Sequence, residues 1–248
     1  MLDTDAAVRW EAQTGERLAE GAESAEKPQT LEPAPVSTGE GSQIIMSSAV
    51  TSTGRVRYRT IDLVTIATLG VAFGVMFWVW GKIYEPIGTA LGLSYPPSFG
   101  LLVGPWLMAG VVGGLIIRKP GAALATEIIA AAASALVPGG TQWGMSVLVS
   151  GFWQGLGVEL ILAIFLYRRF GVIVAALGGA LAGAFEAAYE WSSYYADWDW
   201  PYRFAHLGFM VASGAAIAGI GGWALVRALA AAGVLDTFGP GREAAHEV

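Results

Sequence analysis

Cysteine is absent from the 248 residues. That removes disulfides, thiolate metal sites and cysteine nucleophiles from consideration. Histidine occurs only twice, as His206 and His246, too few for a histidine-rich metal site. His206 reads instead as an interfacial or bundle histidine. Charge is also scarce: 14% of residues are charged, against about 25% in an average soluble domain. No Gly-x-x-x-x-Gly-Lys-Ser/Thr loop is present, so the chain carries no P-loop ATPase, and no His-Glu-x-x-His zinc motif occurs. Ser150-Gly151 lacks the Gly-x-Ser-x-Gly elbow of a serine hydrolase. No basic run with interleaved aromatics suggests nucleic-acid binding. The reading is of a non-enzymatic chain with no cofactor.

Apolar residues make up 54% of the chain, mean hydropathy is +0.54, and there are 34 glycines and 10 tryptophans. This composition belongs to the membrane class, where glycine lets helix backbones approach closely. The net charge of −6 is local: residues 1–54 hold nine acids against three bases, and the remainder balances. That segment is rich in Glu, Ala, Ser, Thr and Pro, without a sustained apolar period, and reads as a disordered acidic tail. It has no apolar run of the secretory-signal type. Translation from Met46, just before Arg55, Arg57 and Arg59, is the alternative start.

Six apolar runs follow, at about 61–81, 99–117, 121–137, 145–167, 171–195 and 204–229. Each is close to the roughly 20 residues that cross a 30 Å hydrocarbon core. The expected fold is therefore all-α, an integral membrane bundle of six transmembrane helices in the cell membrane. It spans 55–232, after the tail at 1–54 and before a short C-terminal tail at 233–248. Arg55, Arg57 and Arg59, then Arg118 and Lys119, Arg168 and Arg169, and Arg227 fall on one side if the spans alternate; the other side receives Lys82 and Arg203. The positive-inside rule then places both termini in the cytoplasm. The outer side is the aromatic one, with Trp78, Trp80, Tyr84, Tyr95, Trp143, Trp191, Tyr194, Trp198 and Trp200 among others. Interfacial belts account for many of these, and the excess points to an aromatic-lined cavity opening outward.

Carboxylates inside the spans carry the most information. Glu127, Glu159 and Glu186 lie within apolar runs, and Glu190 lies near the outer end of the fifth. A charge at the bilayer centre costs about 2.5–3.5 kcal/mol on insertion scales, so such residues face the bundle and meet a partner, a proton or a ligand. Few bases are available within the spans to pair with them. Glu186 and Glu190 share a helix face with Tyr189 nearby; Gln142 and Trp143 stand at a mouth, and Gln154 lies deeper. Carboxylate, amide and aromatic rings together suit a flat, amine-bearing, cationic heterocycle. The competing reading is a scaffolding membrane protein whose carboxylates pair internally. Small residues at helix spacing, among them Gly70 and Gly74, permit close packing within the bundle or against another membrane subunit.

The run Arg118-Lys119-Pro120-Gly121-Ala122-Ala123-Leu124-Ala125-Thr126-Glu127, then Gln142-Trp143-Gly144, then Ser150-Gly151-Phe152-Trp153-Gln154-Gly155-Leu156-Gly157-Val158-Glu159-Leu160 closely resembles the YkoE family. Its members are substrate-binding S components of energy-coupling factor (ECF) transporters. The similarity continues through Tyr167-Arg168-Arg169 and Gly221-Gly222-Trp223 to Arg227, and covers about residues 57–242. The resemblance implies a six-helix subunit capturing thiamine or its hydroxymethylpyrimidine precursor, or another vitamin. It also implies assembly with a membrane coupling subunit and two cytoplasmic ATPases that supply the energy. It carries over Glu127, Gln142, Trp143, Gln154 and Glu159 as binding candidates; Glu186, Tyr189 and Glu190 rest on the residue argument alone. The face of Gly70 and Gly74 is the expected dock for the coupling subunit.

Overall fold

A computed structural model describes residues 57–246, so the expected acidic tail lies outside the described residues. These residues are all helical, with no strand among them. The elements are α1 (Thr60–Ala90), α2 (Met108–Ile117), α3 (Ala122–Leu136), α4 (Val147–Ile164), α5 (Val172–Ser193), α6 (Trp200–Ser213), α7 (Gly222–Ala231) and α8 (Gly239–His246). Short 3-10 segments, Pro96–Leu102 and Gly104–Leu107, lead into α2, and a π-helical segment, Gly214–Gly221, joins α6 to α7.

Four stretches are long and apolar enough to cross a membrane: Thr60–Ala90, Gly144–Ile164, Val172–Ser193 and Trp200–Ala231. A fifth is the pair Pro96–Leu102 and Gly104–Ile117, bent by 47° at its break. α3, with 15 residues, reaches roughly 22 Å at 1.5 Å per residue. The outward-facing side chains are apolar. Leu63, Val64, Val71 and Val75 on α1, Ile173 on α5 and Phe204 on α6 are all exposed. A surface of this kind suits hydrocarbon and not water.

Glycine sets how closely the helices approach. On α1, Gly70 and Gly74 are buried against α3, where a Cβ would run into Ile129 and Ala133. That face is filled by the chain's own helix. Gly70 and Gly74, the expected dock for the coupling subunit, thus lie against α3 of the same chain. Gly179 on α5 meets Gly214 backbone to backbone, and Gly157 on α4 meets Ala182 on α5 in the same manner. Side chains at these positions would force the helices apart, so the small-residue stripes hold this bundle together.

The broken stretch before α2 has an identifiable cause. Pro96, Pro97 and Pro105 lack an N–H, and the break frees backbone groups that hydrocarbon cannot satisfy. Side chains from three other helices take them. Trp80 Nε1 donates to Leu102 O at 2.9 Å. Ser213 Oγ accepts from Gly104 N at 2.9 Å and donates to Leu101 O at 2.7 Å. Glu127 Oε2 accepts from Gly110 N, in the first turn of α2, at 2.6 Å.

The end of the bundle that carries the arginines is stapled by charge. Arg59 N and Nη2 donate to Asp62 at 2.7 and 2.9 Å, and Lys119 from the α2–α3 turn pairs with the same buried carboxylate. Tyr58 OH donates to Pro120 O at 2.8 Å. Burial, together with the nearby Glu159 and Asp62 carboxylates, pushes the Tyr58 hydroxyl up to about 12, so it stays a donor at neutral pH. Arg118 stacks on the Phe170 ring at 4.5 Å and forks onto Glu243 of α8, Nη2 to Oε2 at 2.8 Å. The segment after residue 232 thereby packs back onto the membrane-spanning bundle.

Candidate functional site

A cavity opens at the opposite end. Its walls come from the second half of α1, the break before α2, the α3–α4 loop, the start of α4 and the end of α5. One wall is aromatic. Trp106 and Trp143 meet edge to face, with centroids 5.3 Å apart, and the Tyr84 ring lies 5.2 Å from Trp106 and 5.7 Å from Trp143. The wall is held in place by hydrogen bonds: Trp106 Nε1 donates to Phe77 O at 3.2 Å, and Gln142 Nε2 to Tyr84 OH at 3.2 Å. Gly81 lies directly beside this wall: a Cβ there would be 3.6 Å from the Trp143 ring and 3.8 Å from that of Trp106.

The opposite wall is polar. Glu186 is 3% exposed. Ser150 Oγ donates to its Oε1 at 2.5 Å, and Gln154 Nε2 donates to Ser150 Oγ at 2.8 Å. The second carboxylate oxygen, Oε2, is buried with no hydrogen-bond partner. Trp78 Nε1, on the facing helix, is a buried donor without a partner. Trp78 and Glu186 thus both line the cavity and each carries a buried polar atom without a partner, a situation that costs about 1–3 kcal/mol per atom. Glu190 lies one helical turn beyond Glu186 and also lines the cavity, as does Lys82, whose ammonium sits 5.8 Å from the Trp78 ring.

Five of the eight binding candidates, Gln142, Trp143, Gln154, Glu186 and Glu190, line this cavity. The other three do not. Glu127 is fully buried between α3 and α2, where one oxygen caps Gly110 and Oε1 has no partner. Glu159 closes the N-terminus of α3: it accepts from Gly121 N, Ala123 N and Leu124 N at 2.5, 3.1 and 3.3 Å, and from Tyr167 OH at 2.5 Å. An N-terminal helix end favours an anion there, which gives this carboxylate a complete structural role. Tyr189 directs its hydroxyl to Ser146 O at 3.4 Å, beside the rim.

Trp78, Lys82, Trp106, Ser150 and Tyr194 also line the cavity, and none was singled out from sequence as a ligand contact. Trp78, Lys82 and Tyr194 carried the signal of lying at the aromatic end. Trp106 carried none, because its position depends on the break that turns it inward. Among the described residues no group of three or more His, Cys, Asp and Glu side chains is arranged to hold a metal ion.

Residues 61–185 match the family described as ABC-type cobalt transport system, permease component. The chain is 30% identical over 188 residues to the HMP/thiamine permease protein YkoE of Bacillus subtilis strain 168, covering 75% of this chain and 92% of that protein. A crystal structure of an S-component of an ECF transporter superposes with a TM-score of 0.71 at 29% identity, covering 77% of this chain and 95% of that one.

Proposed function

The chain belongs to the S-component family of energy-coupling factor transporters, and on that premise we propose that it captures thiamine or hydroxymethylpyrimidine in the aromatic cavity. Proteins of this family are multi-pass, non-catalytic subunits of the plasma membrane. They bind a small molecule and work with a membrane coupling subunit and ATPase subunits. For this chain we take the ATPases to be two.

The observation that carries the ligand assignment is the unpartnered oxygen of Glu186, a residue that lines one cavity together with Trp78, Trp106 and Trp143. An aminopyrimidine presents exocyclic N–H donors and ring-nitrogen acceptors in one plane. Its amine meets Glu186, a ring nitrogen accepts from Trp78 Nε1, and its face lies against Trp106 and Trp143. Charge-assisted hydrogen bonds of this kind contribute about 1.5–3 kcal/mol, and ring contacts about 0.5–1.5 kcal/mol. Glu190 then faces the cationic thiazolium half of thiamine. The relative named as an HMP/thiamine permease supports the same chemistry.

The proposed topology has six crossings: the four long stretches, the bent pair and the short α3. Arg57, Arg118, Lys119, Arg168 and Arg227 gather at the end away from the cavity, which supports a cytoplasmic assignment of that end by the positive-inside rule. Both termini are then cytoplasmic and the cavity opens outward. The chain divides into the tail at 1–54, the membrane domain at 55–232 and a C-terminal segment at 233–248.

The test is titration of the detergent-purified chain with thiamine, followed by tryptophan fluorescence, with hydroxymethylpyrimidine as competitor. Saturable quenching below micromolar concentration, displaced by the pyrimidine, is the expected result. A folded sample that binds neither compound overturns the assignment.

A further inference from the structure

His206, on α6, is the one buried imidazole among the described residues and is 3% exposed. It lies outside the cavity lining, yet its Nε2 stands 3.3 Å from Oε2 of Glu190, which lines the cavity. Its ring is fixed by aromatic edges, Tyr195 at 5.4 Å and Trp198 at 5.3 Å, and those two rings stack on each other at 3.9 Å. Its Nδ1 has no partner. Packing alone does not require an imidazole here, and the ring's one polar contact points at a cavity residue.

We infer that His206 is a positioning residue for ligand capture, holding the Glu190 carboxylate against the cavity. The inference rests on the capture reading above. A glutamate side chain gives up rotamer freedom when it is fixed. Ordering it before the ligand arrives moves that cost out of the binding step. The contact also answers a problem created by the helix itself. Glu186 and Glu190 are one turn apart on the same face of α5, a spacing at which like charges repel. The groups around Glu190 are Glu186, Tyr194 and Tyr195 on and just after α5, Tyr84 and Lys82 on α1, and His206 on α6. Of these, His206 stands behind the carboxylate, on α6, so it restrains Glu190 without occupying the ligand's space.

Two amide substitutions separate positioning from packing. Gln in place of His206 carries its N–H₂ close to the imidazole Nε2 position; Asn carries it near Nδ1, out of reach of Glu190. Thiamine binding is measured by calorimetry on the full chain for wild type, His206→Gln, His206→Asn, Glu190→Gln and the double variant Glu190→Gln/His206→Asn. His206→Asn is expected to weaken binding about tenfold, the effect of losing one hydrogen bond to a charged group. His206→Gln is expected to stay within about threefold of wild type, and His206→Asn to add less than about twofold in the Glu190→Gln background. A wild-type chain that binds while the Asn and Gln variants are indistinguishable overturns the positioning role alone. So does a tenfold Asn effect that persists undiminished without Glu190. A wild-type chain that binds neither thiamine nor hydroxymethylpyrimidine removes the capture reading, and this role with it.

Discussion

At the arginine end of the bundle, Glu159 accepts from three backbone N–H groups and a tyrosine. Asp62 there takes Arg59 and Lys119, and Glu243 takes Arg118. At the cavity end, Glu186 has one oxygen on Ser150 and the other on nothing, and Glu190 meets the edge of one histidine. The same side-chain chemistry thus serves two purposes. Where a turn or helix end exposes N–H groups and cations, a carboxylate becomes a staple. Where neighbouring helices offer only indoles, a serine and an amide, it keeps an oxygen free. An ion or carboxylate buried in a membrane bundle is expensive; internal partners meet that cost at one end, and under the proposed function a ligand meets it at the other.

The comparison can be broken by substitutions that should affect one end and not the other. The largest effect is expected from Gly74→Leu, which drives a side chain into Ala133 and the α3 backbone. Overpacking a site with no space costs about 3 kcal/mol or more. Loss of monodisperse protein, or a markedly lower melting temperature, is the expected outcome. A normally folded variant that fails only to assemble with partner subunits would identify this face as the dock.

Next is Glu159→Ala, which uncaps α3 and leaves Tyr167 without its acceptor. Loss of a cap costs about 1–2 kcal/mol, so the thermal midpoint should fall while thiamine affinity of the folded fraction stays unchanged. A large affinity loss would place Glu159 in the ligand path and erase the contrast between the ends. Trp143→Ala is expected to do the reverse, weakening thiamine binding by about 1 kcal/mol with little change in melting.

The smallest effect concerns Glu243. The Arg118 guanidinium holds its carboxyl below the usual carboxylate value. A depressed value means the contact contributes above the ordinary carboxylate range and is lost as pH falls through the lowered value. Limited proteolysis after residue 232 should be slow at about pH 7 and faster at about pH 3, and Glu243→Gln should be cut at the faster rate at both. Equal rates for the wild type across that range would remove the staple.

Much of the architecture was legible in the sequence, because apolar runs near 20 residues have few alternatives to a membrane helix. The irregular parts were not. The break before α2 depends on prolines whose freed backbone groups find Trp80, Ser213 and Glu127 far along the chain, a long-range match that local pattern does not encode. The same limit applies to the site. Sequence shows that Glu127, Glu159 and Glu186 lie in apolar runs, but not which of them meets an unsatisfied N–H. That depends on which backbone groups neighbouring helices present, and it separates Glu159, whose carboxylate reaches the first N–H groups of α3, from Glu186, whose one partner is the Ser150 hydroxyl. The pairing of Glu186 with Glu190 was readable from four-residue spacing alone. The stripe of Gly70 and Gly74 was visible too, but its choice between an internal and an external partner required α3 in place.

The measurement that tests this contrast most directly is thiamine titration of Glu186→Gln beside the wild type. The amide keeps the shape, cannot ionise, and offers one acceptor and one donor. The expected result is at least tenfold weaker binding, corresponding to about 1.4 kcal/mol or more, with melting temperature held or raised because an ionisable group has been removed from a buried site. Wild-type affinity in Glu186→Gln would contradict the account and leave the free oxygen without a ligand.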